Sequence, residues 1–180
     1  SGAGGDVTLV TTARGITTAS STTINTSGAG ASNNAGTVIL RSNNTAVGLS
    51  GAITASGAGT GTGTVSLGTG TGANSVGAVS QPAGAITGAT TLNVNSDGGG
   101  VSLNRSTNDV VNLGTVVTTG GAFTYVDTNG VDESAGSINT TQTSGAGGAV
   151  SITAGGALAL GNINTSGTTS GAGGDVTLVT

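Results

Sequence analysis

Seven times along this 180-residue chain a glycine is followed, after one residue, by two apolar side chains flanking a single other residue. The copies are GDVTL at Gly5, GTVIL at Gly36, GTVSL at Gly63, GGVSL at Gly99, GAFTY at Gly121, GAVSI at Gly148 and GDVTL at Gly174. Their spacings are 31, 27, 36, 22, 27 and 26 residues, a mean of about 28. Self-similarity at a period of about 20–50 residues marks a stacked repeat architecture. The alternation within each copy is that of a half-buried strand, with Val7 and Leu9 on one face and Thr8 on the other. The outward position reads Thr8, Ile39, Ser66, Ser102, Thr124, Ser151 and Thr177, a hydroxyl at all but one of the copies.

A second signature follows each anchor. Its clearest form is ALALGNINTSG, Ala157 to Gly167, and its apolar position is Ile24, Ile53, Ile86, Val116, Ile138 and Ile163 in successive repeats. A repeat of this length, punctuated by glycine and rich in β-branched residues, predicts an all-β β-solenoid: two or three short strands per coil, like strands stacked into parallel sheets. The stack is expected to carry each anchor directly onto the next. The 36-residue interval after Gly63 also contains a strand-like run, TTLNV at Thr90 to Val94, whose place in the stack the sequence leaves open.

Glycine accounts for 37 residues, which invites a reading as a disordered stalk. Val, Ile and Leu nevertheless make up about a fifth of the chain and mean hydropathy is +0.22, unlike the apolar-poor, highly charged composition of disordered segments. Their periodicity decides for a folded stack.

The first eleven residues, SGAGGDVTLVT, recur unchanged at Ser170 to Thr180. Diverged rungs of one stack do not stay identical over such a length. The chain is therefore read as one tandem unit, 1–169, with 170–180 as the start of the next copy. With no methionine and a final pattern that stops on Leu178-Val179-Thr180, it is expected to be part of a longer protein.

Three arginines, Arg14, Arg41 and Arg105, against seven carboxylates give a net charge of −4 and no basic patch, so no nucleic-acid partner is expected. No segment approaches the roughly 18–20 apolar residues of a membrane helix. A chain without Cys, His or Lys, its carboxylates scattered, is not expected to be an enzyme, and no cofactor or metal is expected. The one acidic cluster, DTNGVDE at Asp127 to Glu133, supplies oxygen ligands of the kind Ca²⁺ takes, but matches neither the twelve-residue EF-hand loop nor the glycine-rich nonapeptide of calcium-binding β-rolls; it reads as an Asn129-Gly130 turn with solvated carboxylates. Asp6 and Asp175, equivalent positions in the repeat, are assigned a surface or turn role. Asn33-Asn34, Asn43-Asn44 and Asn104 are assigned to turns. Thr17-Thr18 and Thr22-Thr23 would suit an ice-binding face only with a matched pair on every rung, which rungs of 22 to 36 residues do not offer.

GAVSITAGGALALGNINTSG, Gly148 to Gly167, and SGAGGDVTLVT resemble the degenerate repeats of the filamentous haemagglutinin family of two-partner-secretion exoproteins. The resemblance implies a right-handed parallel β-helix, export, and work at the bacterial cell surface. Taken with the repeat, about six rungs of roughly 28 residues per 169-residue unit, the expectation is the structural shaft of an extracellular surface fibre. Its partner would be itself, through stacking of adjacent units and lateral bundling. The alternative is an adhesin whose solenoid surface binds a cell-surface or glycan partner; Phe123, Tyr125 and the DTNGVDE loop share one rung and are where such a site would lie.

Overall fold

The computed structural model describes residues 2–30, 33–57, 63–168 and 171–180. The chain folds into short strands separated by turns. They run in order β1 (Val7–Val10), β2 (Ile16–Thr18), β3 (Thr23–Asn25), β4 (Val38–Arg41), β5 (Val47–Leu49), β6 (Ala52–Thr54), β7 (Thr64–Leu67), β8 (Val79–Ser80) and β9 (Ile86–Ser96). The second half holds β10 (Val101–Leu103), β11 (Asp109–Thr118), β12 (Phe123–Asp127), β13 (Val131–Asp132), β14 (Ser137–Asn139), β15 (Val150–Ala154), β16 (Leu158–Ala159), β17 (Asn162–Asn164) and β18 (Val176–Val179). The one helical element among the described residues is a 3₁₀ turn at Gly72–Asn74. No helix there is long and apolar enough to cross a membrane.

All pairings between strands are parallel, and they form two sheets of eleven and seven strands. Parallel neighbours need a crossover, and here the crossover is a full circuit of the chain. This is the arrangement of a β-solenoid-like fold. The strands fall into three columns. The first carries β1, β4, β7, the Thr91–Val94 half of β9, the second half of β11, β14 and β17. The second is the seven-stranded sheet, β2-β5-β8-β10-β12-β15-β18. The third runs β3-β6 to the Ile86 end of β9, then through the start of β11 to β13 and β16. The first and third columns belong to one sheet, because β9 and β11 run unbroken from one into the other.

Inward positions stack apolar on apolar. In the first column Leu9, Leu40, Leu67, Val94, Val116, Ile138 and Ile163 are successive partners. In the second the file is Ile16, Val47, Val79, Val101, Phe123, Val150 and Val176. The interior members of both files are shut off from solvent and form one continuous core. The end strands are not covered: Leu9, Val10, Val176, Leu178 and Val179 are exposed.

The columns correct one expectation. The seven anchors do not form a single stack. Those at Gly5, Gly36 and Gly63 supply β1, β4 and β7 in the first column. Those at Gly99, Gly121, Gly148 and Gly174 supply β10, β12, β15 and β18 in the second. The cause is the TTLNV run. Thr91–Val94 pairs with Thr64–Leu67 and occupies the place in the first column where the next anchor was expected. The anchor at Gly99 is thereby displaced to the following face. The second signature shifts with it: Ile24, Ile53 and Ile86 stack in the third column, whereas Val116, Ile138 and Ile163 stack in the first.

The INTSG signature acquires a physical reading. Its isoleucine points inward. The following Asn accepts the backbone N–H two residues on, at 2.9, 3.0 and 3.1 Å for Asn25, Asn139 and Asn164, turning the chain out of the strand. The Thr points inward again and its hydroxyl clasps the carbonyl of the next anchor glycine: Thr26 to Gly36 at 3.1 Å, Thr140 to Gly148 at 2.6 Å and Thr165 to Gly174 at 2.8 Å. Ser96 closes on Gly99 at 2.8 Å in the same way, and Thr118 on Gly121. Loops of different length thus leave the stack at corners closed at the base, between the third and first columns for Thr26–Gly36 and between the first and second for the others. Thr140→Val leaves the Gly148 carbonyl short of a buried donor, so a loss of about 1–3 kcal/mol is expected. Chemical denaturation reads it, with exposed Thr143 changed in parallel as the control.

Candidate functional site

The rearranged third circuit builds a groove. Ser66 on β7, Asn93 and Asn95 on β9 and Thr115 on β11 all face outward in the first column. Beyond Leu67 the chain leaves the sheet at Gly68, whose φ of +80° is left-handed and suits glycine, and loops over the edge as far as Ser75. The loop is held by Arg41 Nη1 donating to Asn74 Oδ1 at 2.8 Å and by the Gly72 N–H donating to Asp97 Oδ2 at 3.1 Å. Between loop and sheet lies a groove of about 370 Å³, lined by Ser66, Thr69, Asn93, Asn95 and Thr115 among others. Asn93 Oδ1 is engaged by the Thr115 N–H at 3.0 Å, which fixes that amide. The lining offers hydroxyl and amide groups and no titratable side chain. Such a surface hydrogen-bonds a neutral polar ligand. A second, shallower depression of about 320 Å³ lies on the third column beside Val111, Val131 and Asp132.

The residues singled out from the sequence are dispersed. Phe123 and Tyr125 are inside, each 0% exposed, which corrects their expected place on a binding surface. They occupy the inward positions of an anchor strand, where the core wants bulk, so their scarcity elsewhere says nothing about exposure. Their rings stack with centroids 6.4 Å apart and planes 8° from parallel.

The DTNGVDE segment also divides. Asp127 turns inward, contrary to its expected solvation. Its Oδ2 accepts the Tyr125 hydroxyl at 2.5 Å and the Val110 N–H at 3.0 Å, and its Oδ1 accepts the Asn129 N–H at 2.8 Å. Asp132 points outward and accepts the Ser134 hydroxyl and N–H, bonds that hold its carboxyl below the usual range. Glu133 is 0% exposed, its Oε2 accepting the Gly161 N–H at 2.6 Å while Oε1 has no partner. The three carboxylates therefore serve different partners. Among the described residues no group of three His, Cys, Asp or Glu side chains converges as a metal would require.

Burial pushes the Glu133 carboxyl up from its ordinary 4.5, opposed by the Gly161 N–H and assisted by the charge of Asp132. The folded chain then holds this proton more tightly than the unfolded chain does. Stability is fullest below the ordinary value, falls as pH rises through the window above it, and then levels off. Glu133→Gln is expected to remove that fall, raising the melting temperature at about pH 7 and leaving it unchanged at about pH 3. Thermal melts at the two pH values read the difference.

The arginines are equally separate: Arg14 is exposed beside the Thr11 turn, Arg41 braces the loop, and Arg105 Nη1 reaches the Pro82 carbonyl at 3.4 Å. Asp6 is exposed and accepts the Thr37 N–H of the next circuit at 2.7 Å. Asn43 and Asn44 take the left-handed conformation expected of turn asparagines, with φ of 47° and 58°. Thr17 faces out and Thr18 in, donating to Gly48 and accepting from the Gly51 N–H, so the pair does not form a flat array.

Sequence reading missed a buried polar pair. Gln81 and Asn108 exchange two side-chain hydrogen bonds, at 2.7 and 3.1 Å, and Asn108 also serves the Ile86 N–H and the Leu103 and Val126 carbonyls. Neither residue lies in a repeating motif. Gln81 directly follows β8 and Asn108 directly precedes β11, places where a polar residue reads as an ordinary turn.

No family model, curated protein or solved structure matches the chain.

Proposed function

We propose that this chain is the structural shaft of an extracellular bacterial surface fibre. In this reading it is a right-handed parallel β-helix of about six rungs of roughly 28 residues per 169-residue unit, related to the filamentous haemagglutinin-like exoproteins. The observation that carries it is the stacking of the second copy of the terminal peptide onto the circuit before it. β18, made from the second copy of the terminal peptide, continues the core files of the second column in register, with Val150 beneath Val176 and Ile152 beneath Leu178. Continued over many units, such files make a stiff rod whose length scales with copy number. Fibre diffraction from purified surface filaments tests this. The expected result is a meridional reflection at about 4.8 Å; filaments of this chain that lack it would sink the reading.

The groove beside Ser66 favours the adhesin as a second reading. Its neutral hydroxyls and amides match an uncharged oligosaccharide. Asn95→Ala is then expected to abolish retention of neutral glycans while leaving the melting temperature in place.

A further inference from the structure

The same peptide lies on two different faces. Residues 2–10 and 171–179 are identical, yet β1 pairs with β4 in the first column and β18 pairs with β15 in the second. Between them the pattern slips once, at β9, which passes from Ile86 in the third column to Leu92 and Val94 in the first without an anchor glycine. All later anchors stay one face ahead of the early ones. The path from β1 to β18 is therefore a whole number of circuits plus one face.

We propose that successive units of the fibre are rotated about its axis by one face, about a third of a turn, so that the surface returns to the same side only at every third unit. The proposal rests on the tandem-unit reading. Its joint is already in place: Gly174 packs on the Gly148 carbonyl as Gly148 does on Gly121, and Val176 to Val179 pair with Val150 to Thr153. Continued through a second copy, the strand equivalent to Ile16–Thr18 falls on the third column, above Leu158. The strand equivalent to Thr23–Asn25 falls on the first, above Ile163. Both placements set isoleucine on an aliphatic residue, so the core files survive the rotation.

The consequence is for recognition. A surface feature that occurs once per unit, such as the groove beside Ser66, faces three directions in turn along the rod. Neighbouring rods or ligands are met on every side rather than along one seam. Three units of 169 residues make 19 circuits, or roughly 90 Å of axial length at about 4.8 Å each.

Two measurements test it. The chain has no cysteine, so paired cysteines report cleanly. Ser151→Cys with Thr177→Cys places the two thiols on directly paired residues and is expected to oxidise to a disulfide. Asn162→Cys with Thr177→Cys, the pair that an unrotated joint would bring together, is expected not to. Disulfide formation in the second pair, or in neither, overturns the rotation. Helical reconstruction of native filaments then separates the two readings. A unit repeat of about 30 Å with a third-turn screw supports the proposal. The same repeat without rotation overturns it and keeps the tandem array; filaments with no unit repeat remove the array itself.

Discussion

Gly148→Ala is expected to cost about 3 kcal/mol or more, the upper end of overpacking penalties, and to lower the melting temperature by roughly 6–12 °C. A Cβ at Gly148 would sit 2.2 Å from the Gly121 carbonyl oxygen and 2.5 Å from its carbon. The neighbour is backbone, and its spacing is fixed by the ladder hydrogen bonds of β12 and β15. It cannot step aside without breaking them. The same position of the motif at Gly5 has nothing within 4 Å of an added Cβ. Gly5→Ala is accordingly expected to be close to neutral. Thermal denaturation followed by far-ultraviolet circular dichroism compares the two. Equal effects would show that the anchor glycine is chosen for backbone freedom, and not for the approach of the circuit below.

Tyr125→Ala is expected to be as damaging, about 3–5 kcal/mol, because it opens a cavity between Leu103 and Ile152 in a core one side chain deep. Tyr125→Phe keeps the ring but removes a donor from the buried Asp127 carboxylate, a loss of about 1–3 kcal/mol. The hydroxyl also makes the fold sensitive to alkali. Burial first, then the hydrogen bond and charge of Asp127, push the Tyr125 hydroxyl far above its ordinary 10.0. The folded chain keeps the proton that the unfolded chain gives up, so stability is full below the ordinary value and declines as pH climbs beyond it. Tyr125 is the only tyrosine and there is no tryptophan. Tyrosinate absorbance is therefore expected to rise in one step, together with the loss of circular dichroism. Ionisation at the ordinary value with the fold intact would contradict the buried placement.

The strands were legible in the sequence because two-residue alternation tells which side chains face inward, and a glycine before each alternation marks where circuits touch. Val38 and Leu40, or Val150 and Ile152, needed no coordinates to be placed in the core. Which column a strand joins is a different kind of information. It depends on how much chain is spent on each circuit, and TTLNV looks like any other strand until its partner, Thr64–Leu67, is known. The groove was illegible for the same reason, since it exists only because β9 fills the place of an anchor. Asp127 and Glu133 were read as solvated because charge usually is; Tyr125 shares β12 with Asp127, but the Val110 and Gly161 N–H groups that complete their bonding lie on neighbouring circuits. Phe123 and Tyr125 drew notice by rarity, whereas the alternation they sit in already placed them inside.

The clasp from Thr or Ser to the next anchor glycine spans sequence gaps of 3, 8, 9 and 10 residues with one geometry. What happens outside it is thus uncoupled from what happens within. Such a corner is a ready grafting point: a foreign peptide spliced between Thr141 and Gly147 would begin and end where the native loop does, leaving the core unaware of its length. Copied along a rod that turns as it grows, the graft would be displayed around the whole circumference. The molecule is laid out as a scaffold whose cargo is interchangeable.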